Sequence, residues 1–445
     1  MAILVLLAIL STMGLTFIYK VGLMSSVTLN RRTSMQAHYL AESAANHALW
    51  RILNEPGFAP ESDKYYMHSL GDGRYGYKVR MPTETTFATV ATVGAMGDIV
   101  TQQSYVQYII PSNVFTAYGS STSSVPRYRR LIGAQWTDAG DVLIGGTDTI
   151  YWLELEGCPI RKELVAGTID GVNEIKVAVY DGTTWVNAVP FGHGDRMYKC
   201  FDIAYESQSG DALIVGRDGT DTPLYYNIWD GTSWAFANPQ SAFSLPGGNV
   251  HDVVMASQPG GNEILIAVVT SWDEIQLVQW NGSTFNDLGI IESSTARNDF
   301  RMVEVIYEHQ SGDAMVVWSR NGDSALKYRI WNGVTLGSEG SLPDFGGNEN
   351  YVIRGAADSD PTSDCIVVAA IDNFYDISVA VWDGDAWIDF REIETAASTN
   401  LVQSFDVTWE AAGEDVVIVW APWDITNVRY LVWQKGTALA DSTVL

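Results

Sequence analysis

One short phrase sets the terms for most of this chain. It reads YDGTTW from Tyr180, WDGTSW from Trp229, WNGSTF from Trp280, WNGVTL from Trp331, WDGDAW from Trp382 and, altered, WQKGTAL from Trp433, at steps of 49, 51, 51, 51 and 51 residues. A period this regular demands a supersecondary unit that stacks on copies of itself. Ahead of the phrase lie matching strand-like runs, such as SGDALIVG before Trp229 and SGDAMVVW before Trp331, and earlier still CFDIAYE, MVEVIYE and SFDVTWE. Each unit therefore reads as four short strands. The Asp-Gly and Asn-Gly pairs supply the positive φ of a tight hairpin between the third and fourth strands. The flanking aromatics alternate in a way that suits packing between sheets. Four-stranded units of about fifty residues are the signature of a β-propeller, and they favour radial closure over an open solenoid. Six copies from Ile150 to Leu445 predict six blades, and residues 131–149 offer a closing strand or part of a seventh. Trp229, Trp280, Trp331, Trp382 and Trp433 are expected to pack between blades.

The repeats resemble WDGTSW-type propeller repeats of extracellular bacterial proteins. They lack the Gly-His of WD40 repeats and the double glycine of kelch repeats. A propeller is thus expected over 131–445.

The other end of the chain is of a different kind. Residues 1–19, MAILVLLAILSTMGLTFIY, carry no charge before Lys20, and as a helix they span roughly 28 Å, about a bilayer's hydrocarbon thickness. A secretory signal would place basic residues first; here Lys20, Arg31 and Arg32 follow the apolar run. The pattern then continues as an amphipathic helix to Glu55-Pro56-Gly57, with a small-residue stripe at Ala37, Ala41, Ala44 and Ala48 suited to close helix packing. This predicts one helix over 1–54. The segment AHYLAESAANHALWRIL resembles the PilX-type pilin N-terminal family, so the chain is similar to a type IV pilin whose short basic leader has been removed ahead of Met1. That resemblance implies a subunit held in the inner membrane, processed by prepilin peptidase and polymerised by the pilus machinery through its helix. Pilins of that kind carry a glutamate at the fifth position, and here it is Val5, as in subunits placed at a filament tip. Gly14 and Gly22 weaken the helix by roughly 1 kcal/mol each relative to Ala and suit either local melting or close contact.

RYGYKVRM, FATVATVGAM and TQQSYVQYII follow, three runs rich in β-branched and aromatic residues that predict a small antiparallel sheet within 55–118. The Ser/Gly/Pro composition of 119–130 reads as a linker. The expected fold class is therefore an α+β pilin core followed by an all-β propeller of six blades, or seven.

Chemistry is sparse. The net charge is −27. Residues 1–127 hold nine Lys/Arg against seven Asp/Glu, and the rest holds 17 against 46. A body that acidic repels nucleic acid and anionic lipid. Cys158, Cys200 and Cys365 are an odd set, read as free thiols with a Cys158–Cys200 bridge as the alternative. No zinc spacing, catalytic triad or phosphate loop is visible. The turn ADSDPTSD, with Asp358, Asp360 and Asp364, has the oxygen density of a calcium site but not the register, so solvated turns are expected. These features predict no catalytic residues, no metal and no cofactor. The expected function is that of a structural subunit of an extracellular filament on the bacterial surface, self-associating through its helix and displaying an acidic propeller for adhesion. A minor, tip or priming subunit and a membrane-tethered enzyme acting on envelope glycans are the alternatives.

Overall fold

The computed structural model describes residues 47, 51, 66–70, 73–80, 88–96, 100–108, 114–120, 123–132, 135–136, 139–144, 148–219, 223–295, 302–344, 352–397, 405–409, 415–422, 429–436 and 443–444. Of the expected 1–54 helix only His47 and Arg51 are among them, and both are helical. Met1, Val5, Gly14, Gly22, Ala37, Ala41, Ala44 and Ala48 lie outside the described residues. Among those described, no helix is long and apolar enough to cross a membrane.

Two compact units result, residues 1–116 with 129–138 and residues 117–128 with 139–445. The first contains an antiparallel meander of β1 (Tyr66–Leu70), β2 (Gly73–Arg80), β3 (Ala88–Met96) and β4 (Val100–Tyr108). The three expected runs are β2 to β4, and β1 precedes them. The expected linker is instead strand. Strands β5 (Val114–Ser120) and β6 (Ser123–Ile132) occupy it, with β7 (Gln135–Trp136) and β8 (Gly140–Asp141) both paired to β6. Serine and glycine suggested a spacer by composition, but Phe115, Val125 and Tyr128 give these strands side chains to bury, and Pro126 is itself buried.

Six four-stranded antiparallel sheets follow, each a meander in chain order. Blade 1 is β9 (Ile150–Gly157), β10 (Leu164–Asp170), β11 (Glu174–Tyr180) and β12 (Trp185–His193); blade 2 is β13 (Phe201–Tyr205), β14 (Ala212–Gly216), β15 (Pro223–Trp229) and β16 (Gln240–Ser244). Blade 3 is β17 (Val250–Ser257), β18 (Ile264–Thr270), β19 (Ile275–Trp280) and β20 (Phe285–Glu292); blade 4 is β21 (Val303–Tyr307), β22 (Ala314–Trp318), β23 (Lys327–Trp331) and β24 (Gly340–Ser341). Blade 5 is β25 (Val352–Ser359), β26 (Ile366–Asp372), β27 (Ile377–Trp382) and β28 (Trp387–Glu394); blade 6 is β29 (Phe405–Trp409), β30 (Asp415–Trp420), β31 (Arg429–Gln434) and β32 (Thr443–Val444). The fold of this part is a six-bladed, all-β propeller. Among the described residues, 131–149 give no strand to any of these six sheets.

Burial follows strand position. The second strands of blades 1 to 5, such as LVAGTID, ILIAVVT and IVVAAID, are buried along their whole length. Their continuous apolar sequence is what two covered faces require. Fourth strands, such as FNDLGIIE, mix exposed, half-buried and buried residues because they form the rim. The innermost strands line a central channel of about 740 Å³, to which blades 1 to 6 all contribute.

Blades also alternate in kind. Blades 1, 3 and 5 turn from second to third strand through a tight loop with a non-glycine residue at positive φ, namely Asn173, Asp273 and Tyr375. Blades 2, 4 and 6 use a longer loop there. The structural period is thus a pair of blades, and CFDIAYE, MVEVIYE and SFDVTWE recur at 102 residues.

Candidate functional site

The phrase residues are structural. In WDGTSW, Asp230 Oδ1 accepts the amides of Thr232 and Ser233, each at 2.8 Å, and the Thr232 hydroxyl at 2.7 Å. The Thr232 hydroxyl bond, followed by the Ser233 amide, holds the Asp230 carboxyl down at about 2. Gly231 takes φ 90°, which L-residues with a Cβ rarely adopt. The tryptophan before each turn is buried. Its indole N–H crosses to a carboxylate of the preceding blade: Trp229 to Glu163 at 3.2 Å, Trp280 to Glu206 at 2.6 Å, Trp331 to Glu263 at 2.8 Å and Trp382 to Glu308 at 2.7 Å. At the junction of blades 5 and 6, Lys435 Nζ meets Asp360 and Ser363, each at 2.6 Å, and Trp433 is buried beside it in sequence. The partners of Trp229, Trp280, Trp331 and Trp382 are acids at the turn between first and second strands. The sequence reading passed over those acids because each looks like an ordinary turn glutamate.

Other candidates are also committed to structure. Asp360 is bound by Thr362, Ser363 and Lys435, Asp364 accepts the amides of Gln310 and Ser311, and Asp358 accepts those of Ser359 and Trp409. The calcium-like turn therefore spends its carboxylates on protein donors. The three cysteines are free, Cys200 and Cys365 being buried; burial pushes the Cys200 thiol up to about 11. The Cys158–Cys200 bridge does not form.

The central channel is acidic. Glu154, Glu156, Asp202, Glu304 and Asp406 line it with Lys199. Lys199 pairs with Glu154 at 3.1 Å and Asp202 at 3.0 Å. Glu156 is open to the channel yet walled in by protein. That enclosure, followed by the charges of Asp202 and Glu154, pushes its carboxyl up to about 8.

The most site-like constellation lies where the fourth strand of an odd-numbered blade meets the second strand of the next. Between blades 3 and 4, Glu292 Oε2 accepts the Trp318 indole N–H at 3.1 Å and Arg320 Nε at 2.6 Å, while Oε1 accepts the amides of Ser293 and Ser294. Arg320 then forks onto Glu339 at 3.0 and 2.8 Å. Burial alone would raise Glu292, but the bonds from Trp318 and Arg320 outweigh it and hold the carboxyl below its ordinary value. Between blades 5 and 6 the same arrangement recurs: Glu394 Oε2 accepts Trp420 Nε1 at 2.9 Å and Arg429 Nη1 at 2.7 Å. The glutamates and tryptophans repeat at 102 residues, but the arginine comes from a different strand position.

The turn between the second and third strands of blades 3 and 5 carries an exposed aromatic, and the Trp272 ring lies over Gly247 of the loop from β16 to β17. Trp272, 62% exposed, sits on the β18–β19 turn, and Phe374, 59% exposed, on the β26–β27 turn. The link to the first cluster is direct: the Asp273 carbonyl accepts Thr295 N–H at 2.9 Å, and Thr295 bridges Arg320. Between blades 1 and 2 the tryptophan, the glutamate and the aromatic are all replaced, while an arginine, Arg217, is present and faces Asp195 at 3.9 Å. Gly216 stands where Trp318 and Trp420 do, glycine (Gly192) replaces the glutamate, and the turn carries Val172. The constellation was not read from the sequence, although its 102-residue spacing was available there.

Chemically, Arg320 keeps two of its five N–H donors beyond the three bonds described, and Arg320 and Glu339 are each about a third exposed. A planar donor fork beside a carboxylate fits adjacent hydroxyls, and the exposed aromatic on the adjoining turn offers a flat apolar face.

No known family profile matches the sequence, and no curated relative was found for it. Among solved structures, the BP39L lectin of Burkholderia pseudomallei superimposes with a TM-score of 0.50 at 10% identity, over 87% of this chain and 100% of that one. A fucose-specific lectin of Aleuria aurantia matches more loosely, with a TM-score of 0.43 at 12% identity over 64% and 90%. The likeness is one of fold. The solved structures it resembles include lectins built, like this chain, on a propeller.

Proposed function

We propose that the propeller is a glycan-binding head and that the clefts between blades 3 and 4 and between blades 5 and 6 are its sugar sites. The observation that carries this reading is that two junctions join a glutamate to a tryptophan indole and an arginine, with an exposed aromatic on the adjoining turn, whereas the third has Gly192, Gly216 and Val172 at the places of glutamate, tryptophan and aromatic and ties its Arg217 to Asp195. A purely structural clamp between blades has no use for Trp272 or Phe374 in solvent. The likeness in fold to a lectin supports the same reading, and an acidic surface favours neutral or amino sugars over phosphorylated or sulfated ones. The head is carried on a pilin-like stem, on the strength of the N-terminal sequence, and the whole serves as an adhesive subunit of an extracellular filament. Val5 favours a second reading of the stem, as a minor or tip subunit.

The test is a glycan array with the full chain, followed by titration calorimetry on the best ligand, with fucosylated glycans included. Binding at two sites per chain is expected, weakened about ten-fold or more by Trp272→Ala, which touches no hydrogen bond of the clamp. An array without ligands, or a Trp272→Ala, Phe374→Ala variant that binds as the parent does, overturns the assignment.

A further inference from the structure

The pairing of β6 with β8 repeats that of the outer strands of blade 4 at an offset of 200 residues. Strand β6 meets β8 at Tyr128 with Gly140 and at Arg127 with Asp141; β23 meets β24 at Tyr328 with Gly340 and at Lys327 with Ser341. Val142 N–H donates to the Pro126 carbonyl at 2.8 Å, and Leu342 N–H to the Leu326 carbonyl at 2.9 Å. In both places the tyrosine ring fills the space that a side chain on the glycine would need. PRYRRLIGAQW, from Pro126, aligns without a gap on LKYRIWNGVTL, from Leu326. The hairpin pairing Leu131 with Trp136 reproduces the bridge of Trp331 with Leu336.

The aromatic contacts agree. Tyr128 lies 5.9 Å from Tyr180 and 5.9 Å from Trp185 of blade 1. Tyr328 lies 5.6 Å from Trp382 and 5.7 Å from Trp387 of blade 5. Tyr226 makes the same approach to Trp280 and Phe285 of blade 3. Each odd-numbered blade thus receives a tyrosine from the sheet before it. For blade 1 that tyrosine is Tyr128, although Tyr430 of blade 6 holds the corresponding strand position. Blade 6 is also the one blade whose second strand alternates between buried and half-buried residues, and its Val432 is 42% exposed.

We infer that residues 114–144 are a seventh blade, cut down to its second, third and fourth strands, which covers blade 1 in the way that blade 4 covers blade 5. The turn phrase of this blade is LIGAQW, 49 residues before YDGTTW, the same step as from Tyr180 to Trp229. The phrase escaped notice because leucine and isoleucine replace Trp-Asp at its head.

Hydrogen exchange on the full chain tests this. The amides of Tyr128 and Val142 are expected to exchange as slowly as those of Tyr328 and Leu342, and exchange at the rate of an open loop overturns the assignment. Tyr128→Ala is expected to speed exchange of β10 and β11 about ten-fold or more while leaving β26 and β27 alone, and Tyr328→Ala the reverse. If Tyr430→Ala instead releases blade 1, blade 6 is its cover and the seventh blade is refuted.

Discussion

At the residue scale, the inter-blade tryptophans combine two kinds of contact. Each buries a large ring, and four of them add an indole N–H to a carboxylate of the preceding blade that also has other donors. Trp331→Phe keeps most of the ring and removes only the N–H that reaches Glu263, whose Oε1 still receives the Tyr307 hydroxyl at 2.8 Å. A loss of about 1–2 kcal/mol is expected, measured by denaturant unfolding; a loss of about 4 kcal/mol would mean that ring packing and not the bond dominates. Asp372 is the opposite case. Burial pushes its carboxyl up to about 6, although the amides of Asp376 and Phe374 pull it down, and Oδ2 has no partner. A raised carboxylate pKa means that the folded state prefers the proton. Its contribution is therefore full below the ordinary value of 3.8 and is lost as pH rises through about 6. Asp372→Asn keeps an acceptor for both amides, so its melting temperature is expected to exceed the parent's at neutral pH and to converge with it in acid. A constant difference across that window would remove Asp372 as the source.

At the element scale, position in the blade explains composition. A second strand with neighbours on both faces must be apolar throughout, and a fourth strand at the rim need not be. The alternation of tight and long loops between second and third strands then decides where a cleft can be furnished. Tight loops of blades 3 and 5 carry Trp272 and Phe374 into solvent. Gly247 belongs to this design, because the Trp272 ring occupies the room its side chain would need. Gly247→Ala is expected to displace the indole and weaken glycan binding several-fold with little change in melting temperature. Unchanged affinity would show that the ring's seat on Gly247 is not part of the site.

For the whole molecule, the proposal joins a head that binds to a stem that polymerises, and the two halves can be tested apart. Ala44→Glu places a charge on the small-residue stripe expected to pack between stems. Filament formation is expected to fail in this variant while the head keeps its glycan affinity. Normal filaments from Ala44→Glu would remove that stripe from the assembly interface without touching the head.

The sequence by itself determined the blade count from Ile150 onward, the strand order within blades and the hairpin that closes each one. These follow from local rules: a fixed period, alternating side chains, and Asp-Gly or Asn-Gly where positive φ is required. It also carries the whole case for the stem. Tertiary structure alone decided which acid meets which tryptophan, because Glu263 and Trp331 are 68 residues apart and no local rule links them. It showed that a serine-rich stretch is strand, since Tyr128 has a ring to bury that composition does not count. It also brought Glu292, Trp318, Arg320 and Glu339 together at one junction, because a cleft between blades is assembled from loops that meet only when the blades do.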